Sequence, residues 1–209
     1  MTATARLEEA DLRLPPFYPG MRIGLFGGSF DPPHEGHLKV SLVALRALRL
    51  DAVWWLVSPH NPLKRNVPSA DLHRRILAAR QMARHPAIRV TGIEAALGTR
   101  YTADTLRHLL PRLRGVAPVW MMGADNLASF HHWREWREIA QSLPIAVFNR
   151  PGSFRDALAS PAAHTLWRAR HDPSDAPLLA AMPPPAWVFL PAPHVDISST
   201  ALRRNPSAS

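Results

Sequence analysis

"GGSFDPPHEGHL", residues 27–38, closes one apolar run, "MRIGLF" (21–26), and opens an amphipathic one, "HLKVSLVALRALRL" (37–50). A short apolar segment that enters a Gly-Gly pair reads as a buried strand running into a loop. Leu38, Leu42, Leu45 and Leu48 then fall on one stripe at helical spacing. The order strand, glycine-bearing loop, helix is the opening unit of an α/β sheet.

Outward from that loop the alternation repeats. "DAVWWLVSP" (51–59), "AIRVTGI" (87–93), "VAPVWMMG" (116–123), "PIAVFN" (144–149) and "AWVFLP" (186–191) read as strands. "SADLHRRILAARQMARH" (69–85) reads as a helix capped by Ser69, with Leu72, Ile76, Leu77 and Ala83 as its apolar residues. "TADTLRHLLPRLRG" (102–115) reads as a helix capped by Thr102 and kinked or ended by Pro111. "WREWREIAQSL" (133–143) is a short amphipathic helix. The alternation predicts an α/β fold, a Rossmann-like, doubly wound and mostly parallel sheet with helices on both faces. Ligands of such sheets sit at the carboxyl ends of the strands, beside the point where strand order reverses. The Gly-Gly loop leaves the carboxyl end of the first strand, so its position suits a ligand site.

The 209 residues suffice for one hydrophobic core. Residues 1–20 read as an N-terminal tail, 21–205 as a single domain and 206–209 as a C-terminal tail. Within the domain, 151–185 is rich in proline and alanine and reads as an irregular surface insertion with one helix near "AAHTLWRAR". Of the seven tryptophans, Trp54, Trp55, Trp120, Trp136, Trp167 and Trp187 read as core. The N-terminus lacks an apolar leader segment, no apolar run is long enough for a bilayer, and cysteine is absent. These features predict a cytoplasmic protein with no membrane partner and no thiol chemistry. A formal charge of +9 suits a partner that carries phosphate. Arg74, Arg75, Arg80 and Arg84 are spread along one helix, so they read as a solvated face rather than a nucleic-acid surface.

Several phosphate and hydrolase motifs fail at residues 24–39. The loop lacks the glycine spacing of a dinucleotide fingerprint, has no lysine before Lys39, and lacks the glycine of a nucleophile elbow after Ser29. His34-Glu35-Gly36-His37 is one residue short of a zincin motif. What remains is a loop in which Gly27, Gly28 and Gly36 allow close backbone approach and N–H donors face an anion. His34 and His37 lie about one helical turn apart near a helix N-terminus, so both can reach one spot. That combination suits a phosphate whose charge grows during reaction. Near the C-terminus, Ser198, Ser199 or Thr200 can cap a short helix, and Arg203 lies one turn further on, where it can fork onto phosphate oxygens.

"GGSFDPPHEGH" resembles the G-x-F-D-P-x-H-x-G-H signature of the HxGH nucleotidyltransferase superfamily, and Ile197-Ser198-Ser199-Thr200-Ala201-Leu202-Arg203 matches its I-S-S-T-x-x-R signature. "GADNLASFHHW" (123–133), "YTADTL" (101–106) and "NRPG" (149–152) are similar to segments of bacterial nicotinate-nucleotide adenylyltransferases. The resemblance spans roughly residues 22–205. It implies adenylyl transfer from ATP to nicotinate mononucleotide by a single nucleotidyltransferase domain. It gives His34, His37 and Arg203 as the catalytic residues, and Gly27, Gly28, Ser29, Phe30, His34, Gly36, His37, Ile197, Ser198, Ser199, Thr200 and Arg203 as the ATP-binding residues. The nicotinate nucleotide falls to Gly28, Ser29, Lys64, Tyr101, Thr102, Asp125, Trp133 and Arg150. Trp133 offers an aromatic face, and Thr102 a backbone N–H, to a nicotinate ring and its carboxylate. Mg²⁺ is expected to travel on the ATP phosphates rather than on protein ligands. The partners are therefore small molecules and not nucleic acid, and a homo-oligomer stays open. One departure is "SPHNPLKRN" (58–66), a compressed version of the family's proline-rich loop, in which Lys64 is the phosphate-contact candidate. Other acceptors of the superfamily, such as phosphopantetheine or a sugar or glycerol phosphate, stay open, as does a non-enzymatic basic module.

Overall fold

The apolar runs become strands because each is covered on both faces, the condition under which parallel sheets form. The computed structural model describes residues 8–59, 71–149 and 152–191. Its strands are β1 (Arg22–Gly28), β2 (Ala52–Val57), β3 (Ile88–Thr91), β4 (Ala117–Gly123), β5 (Ile145–Phe148), β6 (Arg170–His171) and β7 (Trp187–Leu190). They form one seven-stranded sheet in the order β3-β2-β1-β4-β5-β7-β6. Every neighbouring pair is parallel. Strand order reverses between β1 and β4, as a doubly wound sheet requires.

Alternate residues of each strand feed two cores. Val53, Trp55 and Val57 of β2 pack on one face with Val119, Met121, Phe148 and Val188. Trp54 and Leu56 pack on the other with Ile23, Leu25, Trp120, Met122 and Trp187. Helices α1 (Glu35–Ala47) and α2 (Leu72–Met82), together with a 3-10 stretch at Pro173–Ala181, cover the first face. The second face is covered by α3 (Ile93–Leu97), α4 (Thr102–Leu109), α5 (Ala124–Ser129), α6 (Trp136–Ser142), α7 (Phe154–Leu158) and α8 (Pro161–Thr165). No helix among the described residues is long and apolar enough to cross a membrane.

Several sequence expectations change in detail. The deepest stripe of α1 is His37, Ser41 and Ala44, continuing to Leu48, while Leu38, Leu42 and Leu45 flank it half-buried. The small residues let α1 approach the sheet, and the Ser41 hydroxyl accepts a 2.8 Å hydrogen bond from the Trp55 indole. The residue that caps α4 is Tyr101, in extended conformation, and Thr102 is the first helical residue. The helix stops at Leu109 and tightens into a 3-10 turn at Leu110–Arg112, where Pro111 cannot donate. Helix α2 starts after Asp71, and Ser69 lies outside the described residues. Leu77 is 42% exposed, and Trp167, read as core, is 61% exposed, with the Arg170 guanidinium over its ring at 5.7 Å. Arg75, read as part of a solvated face, is 3% exposed.

The segment around 151–185 is more ordered than its composition suggests. Ser160 caps α8 by accepting from the Ala163 N–H, and Asp172 caps the 3-10 stretch by accepting from Ser174. Between them β6 pairs with β7 and extends the sheet. At the other end of the sheet, residues 8–17 pack on the fold instead of trailing from it. The Asp11 carboxylate is 1% exposed, 2.5 Å from Arg80 Nη1 and 3.5 Å from His73 Nδ1 on α2. Its carbonyl accepts from the Gly92 N–H at 2.7 Å, and Phe17 packs at 5.9 Å from Trp54.

Asp11→Ala removes the acceptor that faces Arg80, His73 and the Glu8 N–H. It should lower unfolding free energy by about 1–3 kcal/mol, the usual cost of removing a buried group that holds several polar contacts. Urea unfolding of the full chain checks this; a loss no larger than that of an exposed Asp→Ala control would refute the anchor.

Candidate active site

The loop from β1 to α1 is built by two reciprocal hydrogen bonds. His34 is the N-cap of α1, and its Nδ1 accepts from the Gly36 N–H at 3.1 Å. His37, at the third helical position, accepts on its own Nδ1 from the His34 N–H at 3.1 Å. The pair is a capping box made of imidazoles, in which two orphan donors of the helix start are satisfied. Each acceptor role assigns the neutral ring's proton to Nε2, so both rings offer an Nε2–H donor. The ring centroids are 3.9 Å apart, which brings the histidines to one point, and both residues are buried.

Behind them stands an aromatic wall. Phe30 is 1% exposed, lies 4.8 Å from the His37 ring and stacks on Trp55 at 4.9 Å. Phe30 adopts a left-handed backbone (φ 46°), which the stacking must stabilise. Its ring therefore serves the core, and only its backbone is left to meet a ligand. Gly27 and Gly28 are the last residues of β1 rather than loop residues. A Cβ on Gly27 would meet the Trp120 ring at 2.7 Å, so packing as well as ligand approach demands glycine there.

The reversal of strand order sets what faces this loop. Asp125 follows the carboxyl end of β4 in the first turn of α5, and its residue is exposed. Ser58 follows β2, and its N–H donates to the Gly28 carbonyl at 2.9 Å. Beside Ser58 lies a buried polar cluster on α3 and α4. The Glu94 carboxyl is 6% exposed, and Thr105 Oγ1 is 3.5 Å from its Oε1, 2.8 Å from Thr99 Oγ1 and 3.2 Å from the Tyr101 carbonyl. Burial pushes the Glu94 pKa up to about 7, against the hydrogen bonds from Ser58 and Thr105 that hold it down.

The acceptor-side candidates sit on α4 and the turn before α6. Tyr101 and Thr102 stand at the start of α4, where the first N–H groups are without helical partners. Trp133 follows the 3-10 turn Phe130–His132, half-buried, with its ring edge-on to Phe130 at 5.4 Å. Its indole N–H is buried with no hydrogen-bond partner among the described residues. Arg134 places its guanidinium 5.1 Å over the Tyr101 ring and 3.3 Å from Asp104. Arg107 joins Asp104 to Glu135 and Glu138, tying α4 to the segment that carries Trp133. Lys64, Arg150, Ile197, Ser198, Ser199, Thr200 and Arg203 lie outside the described residues.

Sequence reading missed Arg75 and Glu94. A signal for Arg75 exists: it falls between Leu72, Ile76 and Ala79 on the apolar side of α2. Glu94 gives no such signal, because α3 is a single short turn after β3.

A family model described as cytidylyltransferase-like matches residues 25–205. The chain is 55% identical over 183 residues to a "Probable nicotinate-nucleotide adenylyltransferase" of Cereibacter sphaeroides, covering 88% of this chain and 97% of that one. It is 51% identical over 184 residues to a protein of the same description from Brucella suis, covering 88% and 95%. Among solved structures it is similar to a Plasmodium falciparum nicotinic acid mononucleotide adenylyltransferase complexed with NaAD. The TM-score is 0.67 at 15% identity, over 88% of this chain and 83% of that one, a likeness of fold.

Glu94 links the site to pH. Its folded pKa of about 7 lies above its ordinary 4.5, so the folded state holds the proton more tightly than the unfolded one. Below the ordinary value both states are protonated and folding carries no penalty. The penalty grows as pH rises through that window and is complete above the folded value. Glu94→Gln should therefore raise the thermal midpoint more at pH 8 than at pH 5, and equal shifts at both would show that Glu94 is not held neutral.

Proposed function

The chain belongs to the nicotinate-nucleotide adenylyltransferases, within the cytidylyltransferase-like family, and from that premise we propose how its residues divide the work. The reaction is adenylyl transfer from ATP to nicotinate mononucleotide in NAD biosynthesis. A phosphate oxygen of the mononucleotide attacks the α-phosphorus of ATP, the bond from that phosphorus to the bridging oxygen breaks, and pyrophosphate leaves. Nicotinate adenine dinucleotide is the product. The attacking group is already an anion, so no side chain need become a nucleophile. Positioning and charge stabilisation supply the rate.

The observation that carries the residue roles is the imidazole capping box at the head of α1. With both Nδ1 atoms engaged by backbone N–H groups, the Nε2–H groups are the ring donors assigned to phosphate oxygens, with His37 on the α-phosphate, where charge grows in the transition state. The N–H groups of the loop, Gly28 to Phe30, join them, and Gly36 keeps the helix start open to the anion. Arg203 and the backbone of 197–200 hold the β- and γ-phosphates. Asp125 accepts from ribose hydroxyls across the switch point. Trp133 stacks on the nicotinate ring, and the N–H of Thr102, on a helix dipole, meets its carboxylate, with Tyr101 beside it. Lys64 and Arg150 serve the nucleotide phosphate. The nearby donors are imidazole and amide N–H groups, which suit phosphate oxygens rather than Mg²⁺. Magnesium fits this site as an ion carried on the triphosphate, where it neutralises the charge of the departing pyrophosphate. One domain, residues 21–205, carries all of these parts.

His37→Ala should lower kcat by about 10²–10³-fold while the KM for ATP changes little, the pattern of a contact made in the transition state. Trp133→Ala should raise the KM for nicotinate mononucleotide more than the KM for ATP. A pyrophosphate-release assay with ATP against the nicotinate and nicotinamide nucleotides reads both. Normal turnover by the His37 variant removes that histidine from the reaction, and equal KM effects return Trp133 to the core.

A further inference from the structure

Arg75 is buried on α2, yet its guanidinium bonds main-chain oxygens rather than lining a surface. Nη1 donates to the Ser29 carbonyl at 2.7 Å and to the Ser58 carbonyl at 2.7 Å, and Nη2 donates to the Pro59 carbonyl at 3.2 Å. Ser29 is the first residue after β1, and Ser58 and Pro59 are the first two after β2. One rigid, five-donor fork thus spans the carboxyl ends of the two strands. Burial pushes its pKa down and the fields of Asp31 and Asp71 pull it up, but a guanidinium stays charged throughout.

The geometry has a consequence for the amides. The Ser29–Phe30 peptide is trans, so its N–H points opposite to its C=O. With the Ser29 carbonyl drawn toward α2, the Phe30 N–H is aimed away from α2. A charged donor on a carbonyl also polarises the peptide and strengthens that N–H as a donor. On the other side, Ser58 bonds the Glu94 carboxyl, whose neighbour Thr105 bonds Tyr101 at the start of α4. A continuous polar path therefore runs from the histidine loop, through Arg75, Ser58, Glu94 and Thr105, to the α4 N-terminus.

We propose that Arg75 is a positioning residue for adenylyl transfer: its fork on the Ser29, Ser58 and Pro59 carbonyls fixes the histidine loop against the end of β2, and so sets the in-line approach of the two nucleotides. The proposal rests on the adenylyltransferase reading given above. Arg75 touches neither nucleotide. Each nucleotide still binds its own half of the site without it, and what is lost is their mutual alignment. A misplacement of about 1 Å can cost on the order of 10²-fold in rate.

The test uses the full chain with Arg75→Met and Arg75→Lys, assayed for pyrophosphate release from ATP with nicotinate mononucleotide at a temperature where circular dichroism shows each variant folded. Arg75→Met is expected to lose about 100-fold in kcat with both KM values within about threefold of wild type, and Arg75→Lys, which keeps a charge and donors but not the fork, to recover part of the loss. Should Arg75→Met not fold, Arg75→Lys carries the test, with an expected kcat loss of about tenfold at unchanged KM. A folded variant with kcat within about threefold of wild type, a loss confined to one KM, or a lysine variant no better than methionine overturns the proposal. The wild-type arm separates the two claims. Absent pyrophosphate release from wild type sinks the activity itself, whereas normal wild-type turnover with unaffected variants sinks only the role of Arg75.

Discussion

Between β1 and β4 the sheet changes the direction in which it adds strands, and the helices that follow these two strands leave on opposite faces. Helix α1 goes to the face of Val53 and Trp55, and α5 to the face of Trp54 and Leu56. Two neighbouring parallel strands whose connections diverge leave a crevice at their carboxyl ends. The histidine loop enters that crevice from one side and Asp125 from the other. An adenylyltransferase must hold two anionic nucleotides end to end.

Rigidity around that crevice comes from polar groups that the fold buries at some cost. The imidazoles of His34 and His37 finish a helix instead of leaving its first N–H groups to water. The Ser41 hydroxyl holds the Trp55 indole and donates back to the His37 carbonyl at 2.8 Å. Arg75 gathers three carbonyls, and Glu94 is held near neutrality among hydroxyls. Arg75 and Glu94 find their partners on other elements, while the two imidazoles close on the head of their own helix, so the groups support one another and resist being half-built. The same feature explains why the aromatic residues cluster there. Phe26, Phe30, His37 and Trp55 form a dry wall that lowers the local dielectric behind the loop.

The neighbourhood of Tyr101 and Trp133 is held differently. Arg107 and Arg134 bridge α4 to the turn before α6 with largely exposed ion pairs, which salt weakens and which contribute little stability singly. Their effect is geometric: they keep Tyr101, the start of α4 and Trp133 in one neighbourhood.

The chain's own order of residues was enough to determine every strand but the two-residue β6, the parallel α/β architecture and the identity of the histidine loop. Apolar period, glycine position and the spacing of His34 and His37 are local properties, and they survive without knowledge of what packs where. It also placed Thr102 at a helix start, whereas Tyr101 and Asp125 entered only through the resemblance, and Trp133, read as the first residue of a helix, stands three residues before α6. Only the tertiary structure could decide the rest. Tyr101 instead of Thr102 caps α4, Phe30 turns into the core, and Asp11 reaches across to α2, because each outcome depends on partners far away in the chain. Arg75 is the clearest case: a helix of arginines looks solvated until strands 46 and 17 residues distant supply carbonyls that a buried guanidinium can satisfy.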